Sequence, residues 1–256
     1  PSLFLIQTWR PEDMPKTGVS GRFQKNLKQF ECYSEINLKP LAKDQVALMI
    51  EAMLGDKEID SLVVDEVFKD SGGNPFFIEE IVKNLVEQDI LRKENGLWVL
   101  DLSDTLDSIP AITMEGLTSA VISVPDRVRD LISQRLEKLD EEILINLRVA
   151  AVIGHEFDFD LLLAVTGADE DELLDQLDDA LKEDVVEEVK GSGGEVFRFR
   201  QNMIRQVLYN GLTQRRLSRI HRKVAEAIQN EYGVDEPEVW ELLAFHFDRG
   251  NKAVEA

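Results

Sequence analysis

Cysteine is almost absent. Cys32 is the single one in 256 residues, so no internal disulfide and no cysteine-rich zinc site can form. This excludes zinc-finger and thioredoxin-type readings and fits a reducing compartment. Histidine is scarce as well: His155, His221 and His246 stand far apart and in different predicted elements, without the spacing of a metal site. Long apolar runs are missing. None approaches the roughly 20 residues of a membrane span, and no leader with a basic start and apolar middle opens the chain. Positive charge is in deficit, with 29 Lys and Arg against 50 Asp and Glu and a net charge of −21. An acidic, globular, cytoplasmic protein without a membrane partner is the expectation.

The motifs of self-sufficient enzymes are missing too. No G-x-x-x-x-G-K-[ST] loop is present; Gly18-Val19-Ser20-Gly21-Arg22 and the 191–194 run are rich in glycine, but neither leads a helix with Gly-Lys-Ser/Thr. A dinucleotide fingerprint, a nucleophile elbow, H-E-x-x-H and an EF-hand loop are also absent. His155, just after Gly154 at a predicted helix end, reads as a capping or packing residue. Adjacent acids such as Asp178-Asp179 and Glu187-Glu188 read as solvated faces in so acidic a chain. No catalytic residue and no metal ligand is therefore assigned.

What is present is mostly helix. Leu3-Phe4-Leu5-Ile6 reads as a buried sheet strand whose neighbours are missing, which implies a piece of a longer polypeptide. A short extended segment follows near Phe30–Leu38. The spacing of apolar residues then predicts helices over 43–54, ending at Gly55, and over 59–71, ending at Gly72-Gly73. A third begins at Asn74, a good N-cap, with Pro75 at the favoured first position and Ile78, Ile81, Val82 and Leu85 on one face. Ile90-Leu91 and Trp98-Val99 flank Asn95-Gly96, a strong hairpin turn.

Residues 101–124 read as a linker. Helices are predicted over 126–139, 141–153, 160–165 and 169–181, then a hairpin from Val185-Val186 and Val196–Phe199 around Gly191–Gly194. That order is the order of a winged-helix domain. Helices over 202–209, 214–232 and about 238–249 complete the chain. Residues 156–188 hold fourteen acids and one lysine, whereas 196–223 hold eight Lys or Arg and no acid, which predicts pairing of the basic stretch with the acidic one or with an adjoining domain, ahead of contact with phosphates. The helix in the recognition position, from Asp169 to Leu181, carries seven acids, and DNA would repel it.

The ordered set resembles a known family. Leu5-Ile6-Gln7-Thr8-Trp9-Arg10-Pro11-Glu12, Leu38-Lys39-Pro40-Leu41 and Gly73-Asn74-Pro75-Phe76-Phe77-Ile78-Glu79-Glu80 are similar to the back half of a STAND-class AAA+ ATPase module. Val124-Pro125-Asp126-Arg127-Val128, Ala150-Ala151-Val152-Ile153-Gly154-His155-Glu156-Phe157, Ile204-Arg205-Gln206-Val207-Leu208-Tyr209, Arg215-Arg216, His221 and Leu243-Ala244-Phe245-His246 resemble its winged-helix and following region. The resemblance covers nearly the whole chain. It departs at Gln201, where many members have His, and in the long 101–124 linker.

The resemblance implies a mainly α fold: a helical AAA+ lid followed by a winged-helix domain with a β-hairpin wing and a C-terminal helical-repeat start. Residues 1–38 would be the remnant of a P-loop nucleotide-binding core, 39–100 the lid, 101–124 the linker, 125–210 the winged helix and 211–256 the start of tetratricopeptide-like helices. Arg10 matches a sensor of the terminal phosphate, although it also reads as a surface residue capping a strand end. Asn74 and Pro75 match the motif beside the adenine, although both also suit an ordinary helix start; Phe76 and Phe77 read as core. The implied ligand is ATP or ADP with magnesium in the intact parent, with none held tightly by this chain alone. The implied partners are the upstream nucleotide-binding core, the downstream helical repeats and an effector domain. The chain would be the regulatory part of a signal-transduction switch in a P-loop ATPase parent, not an enzyme by itself. The alternatives are a protein–protein adaptor with no nucleotide dependence and a winged-helix DNA-binding regulator.

Overall fold

A computed structural model describes residues 6, 8, 26–27, 29–30, 33–101, 123–191, 195–232 and 237–251. It divides into two units, 1–39 and 40–256. In the first, backbone turns link Asn26 to Gln29, Leu27 to Phe30 and Phe30 to Tyr33. Residues 33–39 are neither helix nor strand. Of the expected opening strand only Ile6 is described.

The second unit is mainly helical with two small antiparallel sheets. Its first helices are α1 (Lys43–Leu54), α2 (Ser61–Ser71) and α3 (Pro75–Glu87). Each ends or starts where local chemistry requires. Gly55 and Gly72 close α1 and α2 in the left-handed conformation. Asp60 caps α2 by accepting from the Leu62 N–H at 2.8 Å, and Asn74 caps α3 by accepting from the Phe76 N–H at 3.0 Å. The expected start of α2 at Ile59 is corrected by two residues, because Ile59 bridges in parallel to Trp98 instead. Asp60 N–H to Trp98 carbonyl (2.9 Å) and Trp98 N–H to Glu58 carbonyl (2.8 Å) hold it there. Trp98 lies in the hairpin of β1 (Leu91–Glu94) and β2 (Leu97–Leu100), whose turn residues Asn95 and Gly96 both have positive φ, 50° and 92°.

After the undescribed 102–122 stretch come α4 (Asp126–Leu136), α5 (Glu141–Ile153), β3 (Glu156–Asp158), α6 (Phe159–Thr166), α7 (Glu170–Lys182), β4 (Val186–Glu188), β5 (Val196–Phe199) and α8 (Asn202–Asn210). Helix α4 stops three residues short of its expected end at Leu139. The expected hairpin forms as β4 and β5, but the sheet has three strands in the order β3-β5-β4. The unforeseen strand is β3. It is too short for an alternating pattern, and Phe157 supplies its one buried side chain, against Phe197 and Phe199. Finally α9 (Gln214–Tyr232) and α10 (Pro237–Asn251) pack on each other.

Two apolar clusters organise the unit. The larger runs through α1 to α8, joining Ile50, Val67, Ile81 and Leu85 to Ile132, Leu147, Leu173, Phe199 and Met203. The second joins α5 and α6 to α9 and α10 through Val152, Leu161, Val165, Val224, Ile228 and Leu243. No described helix is long and apolar enough to cross a membrane.

The tightest backbone approach is at Gly73. Its φ is +75°, a Cβ there would lie 2.2 Å from the Leu41 carbonyl oxygen, and the Leu41 N–H donates back to the Gly73 carbonyl at 2.8 Å. Gly96 also has positive φ but faces open space. Gly73→Ala is expected to lower unfolding stability by about 3 kcal/mol or more, whereas Gly96→Ala lowers it by only about 1 kcal/mol. Urea denaturation of both variants checks the ranking, and equal losses contradict the clash.

Candidate functional site

Helix α2 turns an unusual face inward. Val63 and Val67 lie on its apolar stripe, and so do Glu66 and Asp70, both buried. An acid in the last turn of a helix meets the negative end of the dipole, so local preference does not place Asp70 there. A tertiary partner does. The Asn202 amide, in the first turn of α8, donates to Asp70 Oδ1 at 2.6 Å, and both residues are about 1% exposed. Asp70 Oδ2 has no hydrogen-bond partner among the described residues.

Around this contact the end of α2 and the turn from β5 into α8 are pressed together. A Cβ on Gly72 would lie 2.7 Å from the Arg200 carbonyl oxygen and 3.0 Å from Gln201 Cγ. Arg200 is held by its N–H to the Val185 carbonyl and by an ion pair with Asp184. Arg205, one turn into α8, donates from Nε to the Ala151 carbonyl at 2.9 Å, tying α8 to α5. Gln201 Oε1 and His155 Nδ1 are buried without partners among the described residues.

The electrostatics follow from dryness. Burial pushes the Asp70 carboxyl up to about 7; the Asn202 hydrogen bond opposes this, Glu66 adds to it, and Lys69 and Arg205 weigh against it. Burial also pulls His155 down to about 4, helped by the cations Arg205, Lys69 and Arg198. His155 is therefore neutral at pH 7, consistent with the packing role expected of it.

Arg10 lies outside the described residues. Asn74 and Pro75 are at the start of α3, immediately after the Gly72-Gly73 approach. Asn74 Oδ1 serves the cap, Pro75 is exposed, Phe77 is core and Phe76 is 37% exposed, so Phe76 departs from the core role expected of it. The site thus adds Asp70 and Asn202 to the expected pair. Asp70 had a readable signal, since Val63, Val67 and Asp70 share one helical face. Asn202 had none.

The expected pairing of acidic and basic stretches holds only in part. Arg198 pairs with Glu187 at 2.7 Å and Glu156 at 3.7 Å, both across neighbouring strands, and Arg200 with Asp184. Arg215, Arg216, Arg219 and Arg222 are exposed on α9 and meet no carboxylate among the described residues. The histidines, though distant in sequence, are not all apart in space. His221 Nδ1 and His246 Nδ1 lie 2.9 Å from each other, with Tyr209 Oη 2.9 Å from His221 Nε2. Among the described residues, no three His, Cys, Asp or Glu side chains are grouped to hold a metal ion.

Two comparisons bear on this architecture. Residues 42–97, which span α1, α2, α3, β1 and the turn into β2, match a family described as a domain of unknown function (DUF8739). An uncharacterized protein of Rhizobium meliloti (strain 1021), R02095, is 24% identical over 226 residues, which is 87% of this chain and 20% of that protein. The chain therefore spans about a fifth of the length of this curated relative.

The Asp70 shift has a definite pH consequence. Its native value lies above its unfolded value of 3.8, so the native state binds the proton more tightly. The stability this gives is complete below about pH 4 and is lost as pH rises through about 7. Asp70→Asn keeps the shape and the acceptor for Asn202 without the charge. The variant is expected to match the wild type near pH 4 and to exceed it at pH 8 by an amount on the order of 4 kcal/mol. Denaturant unfolding at both pH values checks this, and a difference independent of pH contradicts it.

Proposed function

We propose that the chain is the regulatory lid and winged-helix portion of an ATP/ADP-dependent signal-transduction switch, not catalytic by itself. One observation carries the reading. The Gly73-Asn74-Pro75 start of α3, the segment that the family resemblance assigns to the adenine side of a nucleotide, sits next to the Asp70–Asn202 contact with the unit of α4 to α8.

In this reading residues 39–100 form the lid, and α4 to α8 with the β3-β5-β4 sheet form the winged helix. A nucleotide held by the upstream core, with its magnesium, would rest against the helix start. The Asn74 amide nitrogen has no partner among the described residues and Pro75 is exposed, so both are open to the base. Arg10 would report the terminal phosphate. A shift of the α3 start is then passed through Gly72-Gly73, whose backbone has no room to slip, to the first turn of α8. ADP would hold lid and winged helix closed, and exchange for ATP would release them. Swinging a population from 1:99 to 99:1 in this way takes a difference in affinity of about 5.5 kcal/mol between the two states.

The size of R02095, of which this chain spans a fifth, leaves room in a protein of that kind for a core, helical repeats and an effector. A DNA-reading role is disfavoured by α7, which exposes Glu170, Asp171, Glu172, Asp175, Asp178 and Asp179 where a recognition helix would meet phosphates.

Calorimetric titration of MgADP and MgATP, into this chain and into a longer protein that includes the upstream core, tests the proposal. Binding is expected only to the longer protein, and there Arg10→Ala should abolish the difference between ADP and ATP while leaving the thermal unfolding midpoint unchanged. Binding to neither protein favours the adaptor reading instead.

A further inference from the structure

The contact between α8, α9 and α10 contains a chain of hydrogen-bonding groups that the nucleotide reading does not use. Arg249 donates from Nη1 to Tyr209 Oη at 3.0 Å, and its guanidinium carbon lies 4.5 Å from the centre of the Phe245 ring. Tyr209 Oη is 2.9 Å from His221 Nε2, and His221 Nδ1 is 2.9 Å from His246 Nδ1. The two imidazoles are 1% and 0% exposed. His246 Nε2 is buried with no partner among the described residues. Both rings are neutral near pH 7, because burial above all, and then the Arg249 and Arg205 cations, pull them well down, to about 3 and about 4; His246 adds to the effect on His221.

A neutral imidazole carries one N–H, so in the contact between the two Nδ1 atoms one ring must donate and the other accept. Two arrangements of the same protons do this. In the first, Tyr209 donates to His221 Nε2, His221 Nδ1–H donates to His246 Nδ1, and the His246 proton sits on Nε2, where it has no acceptor. In the second, His246 Nδ1–H donates to His221 Nδ1, His221 Nε2–H donates to the Tyr209 oxygen, and the Tyr209 hydroxyl proton turns outward. The first leaves a buried donor unpaired, which is costly. The second leaves the buried His246 Nε2 lone pair unpaired instead, and it needs an acceptor for the Tyr209 hydroxyl.

Outside Tyr209 is a cleft of about 380 Å³, lined by Tyr209, Asn210, Gln214, Leu217, His221 and Arg249. Its volume is within the range of small-molecule sites. Arg249 meets no carboxylate among the described residues, and the exposed amides of Asn210 and Gln214 have no hydrogen-bond partner there. The Arg249 guanidinium, the Tyr209 hydroxyl and the Asn210 and Gln214 amide nitrogens all supply donors here, and no carboxylate lines the cleft.

We propose that this cleft binds a small molecule through a carboxylate or phosphate group, which accepts hydrogen bonds from the Arg249 guanidinium and the Tyr209 hydroxyl, and that occupancy selects the second proton arrangement of the His221–His246 pair. The proton count is the same in both states: the His221 proton passes from Nδ1 to Nε2 and the His246 proton from Nε2 to Nδ1, by exchange with solvent. The His221–His246 hydrogen bond between α9 and α10 is kept in both states with its direction reversed. The inference goes beyond the nucleotide reading and does not depend on it.

Long-range 15N spectra of the histidine side chains in the full chain at neutral pH, during addition of inorganic phosphate or separately of acetate, test the proposal. The expected result is a saturable change of His246 from the Nε2–H to the Nδ1–H pattern, and the probe that saturates at lower concentration identifies the favoured group. Arg249→Gln should weaken binding about ten- to a hundredfold, while Arg249→Lys, which keeps a charged donor, retains part of the affinity and separates loss of the site from misfolding. Tyr209→Phe should still bind, with the His246 pattern unchanged by ligand. No saturable change with either probe, an undiminished affinity in Arg249→Gln, or a ligand-driven change of His246 in Tyr209→Phe would overturn the proposal.

Discussion

A buried carboxyl group with no ion-pair partner among the described residues, Asp70, constrains the body of this protein. Asp70 reaches one partner, the Asn202 amide, and its second oxygen has none among the described residues. Such a contact contributes little net stability, but every other seating of α2 on α8 leaves Asp70 without its partner in a dry interior. The register of the two elements follows from that. So do the glycines: a side chain at Gly72 would press α2 away from the β5–α8 turn at Arg200, and one at Gly73 would meet the Leu41 backbone. The α3 start, with Asn74 and Pro75, is positioned as a consequence.

Charge is arranged to the same end. The arginines of β5 and the turn that follows it are neutralised locally by Glu156, Glu187 and Asp184, which pins the sheet beside the joint. Those of α9 are left exposed, along the helix whose other side carries the buried His221. The two regions differ in what holds them. The joint of α2 and α8 depends on one buried acid, whereas α9 and α10 are held by an apolar cluster and a neutral relay of Tyr209, His221 and His246.

Much of the local structure was readable from residues alone. Lys43–Leu54, Glu141–Ile153 and Gln214–Tyr232 have the expected limits because apolar spacing, and for α1 a terminal glycine, act within the helix itself. The Asn95-Gly96 turn is equally local. The misplacements have non-local causes. Ile59 was assigned to α2 because it fits the apolar stripe, but a strand from the first hairpin captures it. Strand β3 was missed because three residues carry no period, and only pairing with β5 makes Glu156–Asp158 a strand. Phe76, expected in the core, is 37% exposed because consecutive residues of a helix face about 100° apart and Phe77 takes the buried side of α3; the two rings still meet edge to face at 6.1 Å.

The candidate site was legible in part. Asn74 and Pro75 are legible because capping chemistry is written into consecutive residues, and Asp70 is legible as an acid on an apolar face. Asn202, Tyr209, His221 and Arg249 carried no comparable sign of what they meet, since their partners lie in other elements. By itself the sequence determined where most helices start and stop, how acidic the chain is and which motifs are missing, because these depend on neighbours a few residues away. The tertiary structure decided which polar groups are buried and which of them meet, because desolvation and hydrogen bonding act between segments that only folding brings into contact.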